Sequence, residues 1–142
     1  MHNRYNQEDL YGKWIEIKKD KNGFLIYKPC DGETPFLIIT EKEIKYYSQI
    51  EEPAIYLINS FKKQENKKLI YAKDNKGSTI FFTANLNQNN ENYILWDWEI
   101  NNIKYQMLTI NMNESKKMRV IKNPCENDKA KELEFINAAE NK

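Results

Sequence analysis

The sequence predicts an all-β fold, an antiparallel up-and-down meander closed into a barrel of about eight strands, with an α-helix at its C-terminal end. Three observations predict it. After Gly12-Lys13-Trp14, at least six short runs of alternating apolar residues follow one another. Only tight polar turns separate these runs, whereas parallel neighbours would need crossover helices that are missing here. The final stretch changes to helical spacing.

The elements follow in order. Residues 3–10 are polar, and Asn6 is placed to cap a short turn over Gln7, Glu8 and Asp9. A first strand is expected from Tyr11 to Lys18. Phe24 to Tyr27 and Phe36 to Thr40 are short runs of β-formers, with Pro29, Gly32 and Pro35 breaking the chain between them. The steady rhythm then comprises Ile44 to Ile50, Ala54 to Phe61, Leu69 to Ala72, Thr79 to Leu86, Tyr93 to Ile100, Ile103 to Met112 and Met118 to Ile121. Asp74-Asn75-Lys76-Gly77 has the residues of a type I turn closed by a glycine in the left-handed region. Beyond Pro124, Asn127 or Asp128 can cap a helix over about residues 127–139, with Ala130, Leu133 and Ile136 on one stripe.

Asn101-Asn102 is the sharpest turn signal. A two-residue primed turn there sets Ile100 against Ile103, Glu99 against Lys104, Trp98 against Tyr105, Asp97 against Gln106 and Trp96 against Met107. One face of the hairpin then carries Trp96, Trp98, Ile100, Ile103, Tyr105 and Met107. A shift of one residue would destroy that sorting.

A chain of 142 residues fits one domain and can bury a core without metals or oligomerisation. A monomer is expected. The formal net charge is +1, and no long block of one sign would grip phosphates, so nucleic acid is not an expected partner. No run reaches the roughly 18 to 20 apolar residues of a membrane span, and the first ten residues lack the apolar core of a secretory signal. Lys, Asn and Ile are abundant while arginine is confined to Arg4 and Arg119, a bias that suggests an AT-rich bacterial genome.

Cys30 and Cys125 each follow a proline at the edge of an expected strand. Two readings stay open. A disulfide joining them would close nearly the whole domain, contribute on the order of 4 to 5 kcal/mol in the chain-entropy model, and imply a periplasmic, lipoprotein-anchored or secreted setting. Two unrelated thiols would fit the cytoplasm.

Laid out in this way, the chain resembles the lipocalin-like members of the calycin group, barrels with a short N-terminal turn, a Gly-x-Trp on the first strand, a meander and a C-terminal helix. The motif reads Tyr11-Gly12-Lys13-Trp14. The resemblance implies that an arginine near the end of the last strand lies over the tryptophan that plugs the closed end, and Arg119 in Met118-Arg119-Val120-Ile121 holds that place. First and last strands would then be neighbours, sealing the ring. A guanidinium over an indole is worth about 0.5 to 2 kcal/mol. The Thr-Asp-x-x-Tyr motif of many lipocalins is absent, so the resemblance is to a distant relative or an avidin-like barrel, which also opens with Gly-x-Trp.

Catalytic chemistry finds little footing. His2 is the only histidine, which leaves the body of the fold without a histidine triad, a histidine metal cluster or a haem ligand; no cofactor is expected. Asp97 and Glu99 alternate on one strand face, but Lys104 stands opposite Glu99, the pattern of a solvated cross-strand pair. The aromatic residues point to binding. Trp96, Trp98, Tyr105, Met107, Tyr56 and Phe82 are the candidate lining of an interior site for a small apolar or amphiphilic molecule, and core filling is the competing reading. A second class of function is a bacterial interaction protein, an immunity protein or inhibitor, with exposed aromatics at Tyr46, Tyr47 and Tyr56 as interface anchors.

Overall fold

The computed structural model describes residues 7–30, 33–48, 52–86 and 92–123. The helix expected over about 127–139, together with His2, Arg4 and Cys125, lies outside these described residues. The strands are β1 (Gly12–Glu16), β2 (Lys18–Asp20), β3 (Gly23–Lys28), β4 (Phe36–Ile39), β5 (Glu43–Tyr47), β6 (Ala54–Gln64), β7 (Lys67–Lys73), β8 (Thr79–Leu86), β9 (Tyr93–Ile100), β10 (Ile103–Asn111) and β11 (Val120–Lys122). One 3-10 turn, Gln7–Leu10, precedes β1, and another, Met112–Lys117, follows β10.

Eight of the strands close an antiparallel barrel in chain order, β1-β4-β5-β6-β7-β8-β9-β10, with β10 returning to β1. The meander predicted from spacing is therefore formed. Its turns follow from residue chemistry. Gly77 sits at φ +85° and donates its N–H to the Asp74 carbonyl at 3.1 Å, while the Asp74 carboxylate accepts from Lys76 and Ser78 N–H. Asn101 and Asn102 both take positive φ, 51° and 66°, as a type I′ turn demands. All five cross-strand pairs expected for that hairpin are the observed pairs.

The barrel wall differs from expectation at its seam. The first strand stops at Glu16, and β2 and β3 leave the ring as a hairpin turned by Asp20, whose carboxylate accepts the Asn22 N–H at 2.8 Å. This hairpin joins β11 in a separate three-stranded sheet, with β11 parallel to β3. First and last strands are not neighbours. The two edges of β1 are taken by β4 and β10, so the expected seal between the opening segment and the final strand does not exist.

Two cores result. Inside the barrel, Leu10, Trp14, Leu37, Ile44, Ile70, Phe82, Trp96 and their neighbours form one cluster. Leu10, from the N-terminal turn, is fully buried in it and accepts the Trp14 indole N–H at 2.9 Å, so the turn closes this end of the barrel. Outside the barrel, Ile17, Ile26 and Ile110 are packed with Ile15, Phe24, Tyr93, Leu108 and Met118, which glues the small sheet to the outer wall of β1 and β10. Alternate residues of β1 thus serve different cores, Trp14 inward and Ile15 outward.

Candidate functional site at the open end of the barrel

Inward-facing residues of β9 climb from the closed end toward the Asn101-Asn102 turn. Trp96 meets Trp14 edge to face at 6.2 Å between ring centroids. Its indole N–H is donated to Thr109 Oγ1 at 3.0 Å, and that hydroxyl donates to the Ile94 carbonyl at 3.0 Å, so both buried polar groups are satisfied. One pleat higher, Trp98 is gripped by three rings: Phe82 at 5.4 Å, Tyr46 edge-on at 5.3 Å and Tyr105 stacked at 5.6 Å with 12° between planes. Tyr56 packs edge-on against Phe82 at 5.1 Å.

The candidate lining residues are therefore brought together, though not in equal settings. Trp96, Trp98, Met107, Tyr56 and Phe82 are buried, and the rings of Tyr56, Phe82 and Trp98 touch in sequence as in a packed aromatic core. Tyr105 is different: it is 37% exposed and carries the stack out to the rim. On the outer wall of β8, β9 and β10, the outward-facing Phe81, Thr83, Asp97 and Gln106 line a depression of about 560 Å³ that Trp98 and Tyr105 border, with Glu99 and Lys104 at its edge. Burial raises the Tyr56 phenol above its ordinary range, and the nearby Tyr105 and Asp74 raise it further, so the buried Tyr56 hydroxyl stays neutral.

Of the two alternating acids, Asp97 accepts from the Asn85 side-chain amide at 2.7 Å, and Glu99 faces Lys104 in register. Among the described residues no cluster of His, Cys, Asp and Glu could hold a metal ion.

Arg119 is the clearest correction. Its guanidinium lies on Asp20, with Nη2 donating to Oδ1 at 2.6 Å, Nη1 to Oδ2 at 3.1 Å and Nη2 also to the Gly23 carbonyl at 3.1 Å. It ties the last strand to the outer hairpin, while Trp14 is plugged by Leu10 and Trp96. Gly12 sits at φ +123°, a conformation that itself favours glycine there. Cys30 is disulfide-bonded, and Cys125 is the only other cysteine in the sequence. Of the expected surface anchors, Tyr46 turns inward onto Trp98, Tyr56 is buried, and Tyr47 stacks on Phe36 at 4.3 Å.

Lys68 escaped the sequence reading. It shares the inward face of β7 with Ile70 and Ala72 and is 3% exposed, and burial pulls its ammonium below the ordinary lysine range against the opposing pull of Asp9 and Glu8. The period-2 pattern Lys68, Ile70, Ala72 was the available signal.

Comparison with protein-family models, curated proteins and solved structures found no match to this chain.

Proposed function

We propose that this protein is a lipocalin-like, non-enzymatic binding protein that takes a small apolar or amphiphilic molecule at the open end of its barrel. The Trp98–Tyr105 stack carries the reading, because it runs from the buried aromatic core to a side chain that is exposed beside the Asn101-Asn102 turn. An N-terminal turn closing the opposite end and a first-strand Gly-x-Trp support the lipocalin-like assignment. Apolar ligand surface would be buried at roughly 25 cal/mol per Å², with orientation set by the Tyr56 and Tyr105 hydroxyls. The disulfide at Cys30 supports an oxidising setting, in the periplasm or outside the cell. The test is tryptophan fluorescence and native mass spectrometry with a panel of fluorescent fatty probes. Saturable one-to-one binding that weakens in Trp98→Ala is expected, and a protein that admits none of them overturns the reading.

A second reading has its own observation. Ile55, Leu57 and Phe81 stand 48%, 58% and 57% exposed on the outer wall of β6 and β8, the kind of apolar surface that a protein partner covers. An inhibitor or immunity protein would use this wall. Stable co-purification abolished by Leu57→Lys, with ligand binding unchanged, would favour it.

A further inference from the structure

The small sheet covers only part of the barrel wall. Where the outer core of Ile17, Ile26 and Ile110 ends, the cleft between wall and sheet stays open as a groove of about 650 Å³, within the roughly 300 to 1,000 Å³ typical of small-molecule sites. Its floor is apolar. Ile15 and Phe36 face it from β1 and β4, and Ile26 and Val120 face it from β3 and β11.

Its charge is one-sided. Lys28 and Lys122 are register partners on the parallel strands β3 and β11, and Lys13 faces them from the wall, with Glu33 the single acid of the lining. Like charges opposed on neighbouring strands repel. None of the three lysines makes an ion pair among the described residues, where the salt bridges use other lysines and Arg119. Lys13 instead lies over the Phe36 ring at 4.1 Å, at the point where the charged and apolar parts of the groove meet. An occupant that relieved this repulsion would carry negative charge at one end and hydrocarbon along the rest.

We propose that this groove is a binding site for a free amphiphile with a single anionic head group, a medium-chain carboxylate being the simplest. The head lies among Lys13, Lys28 and Lys122, and the chain lies on Ile15, Ile26, Phe36 and Val120. The site is separate from the barrel mouth and does not depend on it.

The experiment titrates the full-length, oxidised, ¹⁵N-labelled protein with decanoate, and in parallel with decyltrimethylammonium and decanol. Decanoate is expected to shift the amides of Ile15, Ile26, Lys28 and Val120 saturably, with at least about tenfold preference over the cation. Lys28→Glu combined with Lys122→Glu is expected to weaken this binding by at least about tenfold, and Lys13→Gln by a smaller factor. Equal affinity for the cation, or shifts unchanged in the double variant, overturns the proposal. Shifts confined to Trp98, Tyr105 and their neighbours overturn it too while leaving the barrel-mouth reading intact.

Discussion

Arg119 holds Asp20 through two hydrogen bonds, at 2.6 and 3.1 Å, across 99 residues of sequence. The pair fastens a strand of three residues, β11, whose one neighbour among the described residues is β3. The Arg119 carbonyl also accepts the Ile26 N–H at 2.8 Å, and Asn123 N–H reaches the Lys28 carbonyl at 2.9 Å, so β11 is pinned at both ends. A planar fork can grip carboxylate and carbonyl together, which an ammonium cannot do with fixed geometry.

That grip makes the outer sheet sensitive to acid. The hydrogen bonds from Arg119 hold the Asp20 carboxyl below its ordinary range, so their contribution is fully present above the ordinary carboxylate pKa and is lost as pH falls through the lowered one. Protection against hydrogen exchange at Val120, Ile121 and Lys122, corrected for the intrinsic pH dependence of exchange, should fall on acidification, while that of barrel amides changes little. Asp20→Asn should give the faster exchange at neutral pH and remove its acid dependence. Arg119→Lys should resemble Asp20→Asn more than the parent protein. Added salt should weaken the effect, since both groups face water.

The seam shows what was legible in the sequence and what was not. The register of the hairpin, expected from Tyr93 to Met112, was legible in its five pairs around the turn, because Asn101-Asn102 sets a register that sorts apolar from polar faces, and a slip would invert it. The eight-strand ring followed from short turns between runs. The excursion of β2 and β3 did not, although Asp20-Lys21-Asn22-Gly23 is a turn signal in plain sight. Lys18, Lys19 and Asp20 carry no apolar alternation, and their pairing is decided by the wall behind them. Arg119 was legible as chemically distinctive but not as Asp20's partner, because a parallel pairing of two distant strands leaves no local periodicity.

Thr109 should prove costly to replace by an isostere without a hydroxyl. It is fully buried and completes a relay from the Trp96 indole N–H to the Ile94 carbonyl. Thr109→Val keeps the shape but orphans the indole donor inside the barrel, and denaturant unfolding should show a loss of about 1 to 3 kcal/mol. Thr109→Ser should recover most of it. Equal losses in both would mean that packing, not the hydrogen bond, sets the value of this site.

Lys68 should be replaceable with a gain. Burial disfavours its charged form, so the folded state binds this proton less tightly than the unfolded chain. The resulting penalty is full at neutral pH and is relieved as pH rises from the lowered pKa to the ordinary lysine value. Lys68→Met matches its length without its charge and should stabilise the fold by about 1 kcal/mol at neutral pH. The advantage should shrink as alkaline pH neutralises the native lysine. A destabilised Lys68→Met would show instead that attraction to Asp9 and Glu8 outweighs burial.

Cys30 should matter to the outer sheet before it matters to the barrel. It follows β3 directly after Pro29, and among the described residues β3 is the strand that β11 pairs with. The ring closes through β1, β4 and β10 without either strand, so loss of the bond removes no barrel pairing. Reduction, or Cys30→Ser, should therefore raise exchange first at Gly23–Lys28 and Val120–Lys122. Global stability should fall by up to about 4 kcal/mol, because a long loop is freed in the unfolded chain. The two effects separate on a denaturant series. Local opening of the outer sheet should appear at low denaturant in the reduced protein, with the Trp96 and Trp98 fluorescence transition following later. A single transition reported together by the tryptophans and by the β11 amides would show the outer sheet and the ring to be one cooperative unit.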